Sequence, residues 1–310
     1  MNIALLCIRD NCNRTSKMLR ALNTVEGVTA KAYTQVTHPF NYNDPIEVGT
    51  NEQIKDLIEW SDVVWFTMGN VNLWYHFKNS LRNKNIIVTH SGTQYRQNSE
   101  KYNYIFNKFA TGHILLGHDH MKLGAKNAHY NSLRIVEPTS KPKRHKGLLR
   151  IGHFPSNPNK KGTDTINAIL MRLRLDGYEF ISNLSTQVVS YSDNIQRMSE
   201  CDVYIDQLKP LQKGINFGES GNQTYEALSL GCITVSNLTD SSYYESVHGY
   251  PIQIIANSPD ELYNSLAMLI EQPRTVTERI RFDSWQMVHE QHSYKAMGLS
   301  MYNTIKEVLA

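Results

Sequence analysis

The feature that most constrains this chain is an alternation that runs along it twice. Short apolar runs rich in β-branched residues are separated by stretches whose apolar residues recur at helical spacing. In the first half the runs are Asn2–Ile8, Val28–Val36, Asp62–Phe66, Ile86–His90, His113–Leu116 and Leu133–Val136. Between them, Ile54, Leu57 and Ile58 follow Asn51, and Tyr104, Ile105 and Phe109 follow Ser99. Parallel strands cannot be joined by tight turns, and a helix is the usual crossover between them. The spacing therefore predicts a doubly wound α/β domain.

The rhythm pauses at Glu137–Lys146, where two prolines and five basic residues carry no apolar periodicity. Such a segment reads as a hinge, with a polyanion-contacting patch as the alternative. Beyond it come strands Leu149–Phe154, Glu179–Ser182, Asp202–Asp206, Ile233–Val235 and Ile252–Ile255, with helices Thr163–Leu175 and Gln223–Leu230. From Ser258 onward the pattern is helical only. The expected organisation is a first domain over residues 1–140, a second over 141–285, and a terminal helix over 286–310, for which crossing back to the first domain is one option.

At 310 residues and 40% hydrophobic content the chain can bury two cores, so a single small binding module is excluded. No apolar run approaches the roughly 20 residues of a bilayer span, and the opening residues lack a basic leader region, so a cytoplasmic protein is expected. The cysteines Cys7, Cys12, Cys201 and Cys232 form no C-x-x-C pair and read as reduced thiols. A net charge of +3 permits an anionic partner such as a nucleotide, an acidic glycan or nucleic acid.

In open α/β sheets ligands bind beyond the carboxyl ends of the strands, which singles out two loops. In Gly152–Asp164 a strand ends and Lys160, Lys161 and Gly162 lead into a helix. A lysine beside a helix's positive end suits a phosphate, although paired lysines there are more often solvated. In the second loop Gly214, Gly218 and Gly221 precede a helix opened by Asn222, Gln223 and Thr224, whose exposed amides suit a diphosphate. Glu226 lies about one turn further in, placed to reach ribose hydroxyls, and Glu219 could accept from a sugar's hydroxyls.

CDVYIDQL followed by GESGNQTYEALSLGCITV resembles the donor-binding segment of retaining GT-B glycosyltransferases of the family-four kind, and GHFPSNPNKKGTD resembles its partner loop. The resemblance covers about Leu149–Tyr250 and implies two Rossmann-like domains facing a central cleft, an acceptor domain over 1–140 and a nucleotide-sugar donor domain over 141–285. It implies that Glu226 holds the donor ribose, that Lys161 contacts the diphosphate, and that Gly221, Asn222, Gln223 and Thr224 line the site. His153 stands where the family has an arginine and would grip the diphosphate only when protonated. The family's first glutamate falls at Gly218 here, with Glu219 one residue later, so either the loop is re-registered or that role is lost.

In the first domain IIVTHSGTQYR resembles the segment that carries a histidine, a glycine and an arginine near the reacting centre. His90 would then be catalytic, with Arg96 and Arg14 towards the acceptor. A hydrogen-bonded loop histidine is the alternative for His90. The GHDHM stretch, His118 to His120, lacks a partner cluster at metal-ligand spacing, so no metal is expected.

The activity implied is metal-independent transfer, with retention, from a nucleotide-diphosphate sugar to a hydroxyl of a glycan or other acceptor. The sugar nucleotide is a co-substrate and no separate cofactor is expected. One alternative acceptor is a hydroxymethylated base in DNA, with Arg9, Arg14, Lys17, Arg82, Lys84, Arg96 and Lys141–Lys146 as a basic rim. Another alternative is an inactive sugar-nucleotide-binding scaffold. Trp74–Lys84, aromatic on one side and basic on the other, is a candidate for peripheral membrane contact, with a partly exposed core helix as the alternative.

Overall fold

In a computed structural model the chain is described over residues 1–40, 42, 45–208, 220–238, 245–246 and 253–310. It forms two compact units, Met1–Ile135 together with His292–Ala310, and Val136–Gln291.

Unit 1 begins with β1 (Asn2–Arg9), α1 (Arg14–Leu22), β2 (Thr29–Val36), α2 (Asn51–Trp60), β3 (Val63–Phe66) and α3 (Val71–Phe77). It continues with β4 (Asn85–His90), α4 (Gly92–Phe109), β5 (Gly112–Leu115), α5 (His118–Met121) and β6 (Ala128–Tyr130). Its strands are all parallel in the order β2-β1-β3-β4-β5-β6. Side chains alternate across a strand, so Ile3 and Leu5 enter one core and Ala4 and Leu6 another. Both faces are covered, which is why these strands read as unbroken apolar runs rather than alternating ones. Helix α2 starts with a capping box: Gln53 N–H donates to Thr50 Oγ1 at 3.2 Å and Thr50 N–H donates to Gln53 Oε1 at 2.8 Å.

Unit 2 contains β7 (Arg150–His153), α6 (Pro158–Lys161), α7 (Thr163–Leu175), β8 (Ile181–Leu184), α8 (Tyr191–Ser199) and β9 (Val203–Gln207). After these come α9 (Asn222–Ser229), β10 (Ile233–Ser236), β11 (Ile254–Ile255), α10 (Pro259–Glu271) and α11 (Arg274–His292), whose final residue already belongs to unit 1. The sheet is parallel in the order β11-β10-β9-β7-β8. The core of one face gathers Ile151, Val203, Ile205 and Val235 with Ile166 and Leu170 of α7 and Leu266 of α10.

The last helix, α12 (Tyr294–Leu309), returns to unit 1, where Met297, Met301, Ile305 and Val308 join the core containing Met18, Ala21 and Leu22 of α1. The basic stretch before β7 is tied along unit 2. His145 Nδ1 lies 2.9 Å from Asp202 Oδ1, Arg144 pairs with Glu278 at 3.4 Å, and the Thr139 hydroxyl donates to the Ser229 carbonyl.

The strand expected at Leu133–Val136 does not form, and the edge strand is β6 instead. Leu133 adopts a left-handed φ of 48°, and its N–H donates to the Asn131 side chain at 3.0 Å, so the run leaves sheet geometry while Leu133, Ile135 and Val136 stay buried. Burial alone made it look like a strand. The helices α3, α5, α6 and α8 are further elements that periodicity did not single out, three of them no longer than seven residues.

Candidate functional site

The chain leaves β7 to one side of the unit 2 sheet, through β8, and to the other through β9, β10 and β11. The strand order therefore reverses between β7 and β9, the place where open α/β sheets leave a crevice at the strands' carboxyl ends. Both loops singled out in the sequence start there, one after His153 and one after Gln207.

Lys161 is the last residue of α6. Gly162 follows with φ 72°, a left-handed conformation that favours glycine, and a Cβ there would run into the Leu208 carbonyl. Leu208 N–H donates to the Lys161 carbonyl at 3.0 Å, so the two loops are stitched backbone to backbone. The lysine then reaches across: Nζ donates to Asp206 Oδ1 at 2.6 Å and to Gln207 Oε1 at 3.1 Å. Asp206 is fully buried. Its other oxygen, Oδ2, accepts from Gly221 N–H at 3.3 Å and from the Thr224 hydroxyl at 3.0 Å. Lys161 Nζ comes within 3.4 Å of where a Cβ on Gly221 would sit. Residues 60 positions apart are thus drawn to one point around a carboxylate.

Gly221 is the N-cap of α9 and offers no side-chain cap, so the first amides of the helix carry its positive end. Gln223 is committed to the Phe154 carbonyl, to which Nε2 donates at 3.0 Å, tying α9 to the loop after β7. Glu226 lies largely buried one turn on, three residues from Gln223 and four from Asn222, and so on their face of the helix. Glu219, with Gly214 and Gly218, lies outside the described residues.

The role expected of His153 does not fit its placement. It is buried, with Nδ1 2.8 Å from the Ile205 carbonyl and Nε2 2.9 Å from Thr163 Oγ1. A carbonyl can only accept, so Nδ1 carries the proton and Nε2 accepts from the threonine. Burial, reinforced by the Lys161 charge, holds the imidazole below its ordinary pKa against the opposing pull of the Ile205 carbonyl and Asp206. A neutral ring with both nitrogens in use pins β7 to β9 and α7.

In unit 1 the side chains after β1, β4 and β5 gather at the carboxyl end of the sheet. Arg14 Nη1 donates to Ser91 Oγ at 3.3 Å, and Arg96 forms a two-pronged ion pair with Asp119. Arg96 and Arg134 both press charge on His120. His90 sits a layer deeper than expected of a catalytic group. Its ring stacks on Tyr95 with centroids 4.2 Å apart, its Nε2 is 2.9 Å from His113 Nδ1, and a Cβ on Gly69 would come within 2.9 Å of its Nδ1. Burial first, then His113 and His120, holds it well below the usual histidine range. Its geometry is that of the hydrogen-bonded loop histidine.

Among the described residues no group of three or more His, Cys, Asp or Glu side chains is arranged to hold a metal ion. No helix among them is long and apolar enough to cross a membrane. Helix α3 buries Leu73 and Phe77, Trp74 stacks on Phe109 at 4.4 Å, and Tyr75 is exposed. Sequence reasoning misses Asp206 as a site residue, although it lies near the end of the CDVYIDQL run and of β9. A carboxylate closing a buried parallel strand, with glycine and threonine opening the next helix, was the available signal.

No protein-family model and no curated protein matches the sequence. Solved structures do. The HepE protein of Anabaena in complex with UDP-glucose matches with a TM-score of 0.65 at 12% identity over 99% of both chains. An alpha-glucosyltransferase in complex with UDP-glucose and DNA containing an abasic site matches with a TM-score of 0.63 at 13% identity, again over 99% of both. A putative UDP-N-acetylglucosamine 2-epimerase from Listeria monocytogenes matches with a TM-score of 0.53 at 10% identity, over 99% of this chain and 96% of that one. The fold is GT-B. Its two Rossmann-like units are the six- and five-stranded parallel sheets described above. At such identities the likeness carries the fold and not the chemistry.

Proposed function

We propose that this chain is a glycosyltransferase using a nucleotide-diphosphate sugar held by unit 2. The observation that carries this is the convergence of Lys161, the glycine-capped start of α9 and Asp206 at the switch point of the second sheet. In this reading the diphosphate lies on the amides that open α9 at Asn222 and Gln223, with Lys161 as its counter-charge, and Glu226 takes the ribose hydroxyls. Glu219 is assigned to the sugar's hydroxyls on the sequence pattern alone. HepE and the alpha-glucosyltransferase, both solved with UDP-glucose, make a uridine nucleotide the first donor to try.

The acceptor oxygen forms its bond to the anomeric carbon as the bond from that carbon to the diphosphate oxygen breaks. The acceptor's proton passes to the leaving phosphate, and the configuration is retained. Negative charge growing on that phosphate is met by Lys161 and by the helix-start amides, donors already fixed in place before reaction. No step calls on a metal or a separate cofactor. Arg14 and Arg96 are assigned to the acceptor side, Arg96 through its pairing with Asp119. His90 positions Tyr95 and His113 rather than touching substrate.

A second reading names the acceptor as a hydroxymethylated base in DNA. It is favoured by the alpha-glucosyltransferase neighbour, solved with DNA, and by the gathering of Arg14, Arg96 and Arg134 at one end of the unit 1 sheet. Duplex binding whose affinity falls steeply with salt supports it, and salt-insensitive or absent binding removes it.

The test of the donor site is a melting-temperature panel with UDP, UDP-glucose, ADP and GDP on the protein and on Lys161→Ala and Glu226→Ala. A ligand at about 100 times its Kd stabilises the folded state by roughly 2.7 kcal/mol. A selective rise that both variants lose supports the proposal. No rise with any nucleotide overturns it. Product analysis with UDP-glucose and UDP-N-acetylglucosamine then separates sugar transfer from epimerisation, the activity named for the Listeria neighbour.

A further inference from the structure

Lys161 and the start of α9, to which the donor reading gives the diphosphate, are both engaged by one carboxylate in this structure. Asp206 takes Lys161 Nζ on Oδ1 at 2.6 Å, and the Gly221 N–H and Thr224 hydroxyl on Oδ2 at 3.3 and 3.0 Å. It is fully buried as the penultimate residue of β9, and a Cβ on Gly221 would meet Oδ2 at 2.8 Å, so the carboxylate lies directly against the start of α9. An anion at a helix start beside a lysine is the arrangement a phosphate would make.

We propose that Asp206 is a resident anion: it holds Lys161 and the start of α9 in order while the site is empty, and its charge opposes retention of the nucleoside diphosphate product. This rests on the donor reading above and adds the direction in which one residue acts on it. Preorganisation and repulsion come from the same group. Without an anion, Lys161 would lose its fixed rotamer and the helix start its partner, and each binding event would have to order them again. With the anion in place, an incoming diphosphate finds ordered donors but must share Lys161 with a carboxylate. Two like-charged groups at one cation repel across a few ångströms of partly desolvated protein, where charges act more strongly than in water. A sugar nucleotide repays that repulsion through its sugar contacts. The diphosphate left after transfer has lost those contacts and still feels the repulsion, so it leaves.

A purely structural Asp206 gives the opposite sign. If the carboxylate only anchors Lys161, removing its charge loosens the lysine and weakens nucleotide binding. If it acts as a resident anion, an amide of the same shape still accepts from Thr224 and Gly221 but no longer competes for the lysine, and diphosphates bind more tightly.

The experiment is calorimetric titration of the protein, of Asp206→Asn and of Asp206→Ser with UDP, inorganic pyrophosphate and uridine. Asp206→Ser keeps a hydroxyl partner for Thr224 and serves where the amide variant folds poorly. The expected result is UDP and pyrophosphate binding about tenfold tighter in whichever variant melts near the wild type, with uridine unchanged, because uridine has no phosphate. Equal or weaker UDP binding in a folded variant overturns the inference and leaves the donor reading intact. Tightening that extends equally to uridine overturns it too, since the effect then lies outside the diphosphate. Absence of UDP and pyrophosphate binding in all three proteins removes the donor reading, and this inference with it.

Discussion

Arg281 and Asp202 meet inside unit 2 with neither side chain open to solvent, Nη1 donating to Oδ1 at 2.8 Å. The same oxygen takes Arg274 Nη2 at 3.0 Å and His145 at 2.9 Å, while Oδ2 accepts the Arg150 N–H at 2.9 Å. Arg281 turns its Nε to the Gly231 carbonyl at 2.7 Å. One carboxylate therefore fixes the start of β7, the stretch before it, the turn into β10 and helix α11. A buried ion pair adds little over a well-packed apolar pair, but removing one partner strands the other charge. Asp202→Ala is expected to cost about 3–5 kcal/mol, read as a lower urea midpoint. A loss under about 1 kcal/mol would mean that the arginines find solvent and the hub is dispensable.

The strand-and-helix alternation was legible because parallel strands covered on both faces leave long apolar runs, as at Asn2–Ile8 and Asp202–Asp206. Lys161 and the α9 start were legible because a basic residue before a left-handed glycine and a glycine before a helix are local signals. What could not be read was which charges cancel. Asp206 and Lys161 are 45 positions apart, and only the β7–β9 crossover makes them neighbours. The same holds for His153, whose tautomer is set by a carbonyl 52 residues away. His90 is catalytic on the resemblance of IIVTHSGTQYR, yet Tyr95 and His113 enclose it, and enclosure is a property of packing that no single segment carries.

The enclosed histidines of unit 1 set a pH dependence. Burial lowers His113 and His120 from 6.5 to about 4, and lowers His90 well below 6.5. Below pH 6.5 the unfolded chain binds protons that the folded unit refuses, so stability is lost as pH falls from about 6.5 towards 4. Each histidine contributes a slope of at most about 1.4 kcal/mol per pH unit in that window. Melting curves at intervals between pH 7 and 4.5 read the effect, and His113→Gln should flatten it. An unchanged profile in that variant would place the titrating groups elsewhere.

Gln253 is buried, and among the described residues neither atom of its carboxamide has a hydrogen-bond partner; the same holds for the buried Thr234 hydroxyl in the β10–β11 region. A buried polar group left unsatisfied costs about 1–3 kcal/mol, whereas an apolar group of similar shape does not. Gln253→Leu and Thr234→Val should therefore each leave the fold intact and raise stability by about 1 kcal/mol, a rise of roughly 2–4 °C in a unit of this size. A fall in melting temperature would mean that these groups are bonded in solution, through ordered water or a ligand.

Gly298 sits within α12, where a glycine is intrinsically about 1 kcal/mol worse than alanine. On helix propensity alone, Gly298→Ala should stabilise the protein. Packing opposes it. A Cβ at that position would collide with the Ala21 carbonyl oxygen, lie 2.9 Å from the carbonyl carbon and come within 2.9 Å of Thr24 Oγ1, all in or just after α1. The first two are backbone atoms in a helix whose Met18, Ala21 and Leu22 are buried in the same core as Met297 and Met301, so the contact cannot relax by turning a side chain. Forcing a methyl into a packed interface costs typically 1–3 kcal/mol, more than the propensity gain. The expected net effect is a melting temperature lowered by several degrees, with unit 1 opening first in hydrogen exchange and the amides of β7 and β9 still protected. A raised melting temperature would show that α12 can move away from α1 at little cost, and that its close packing there is incidental to the stability of unit 1.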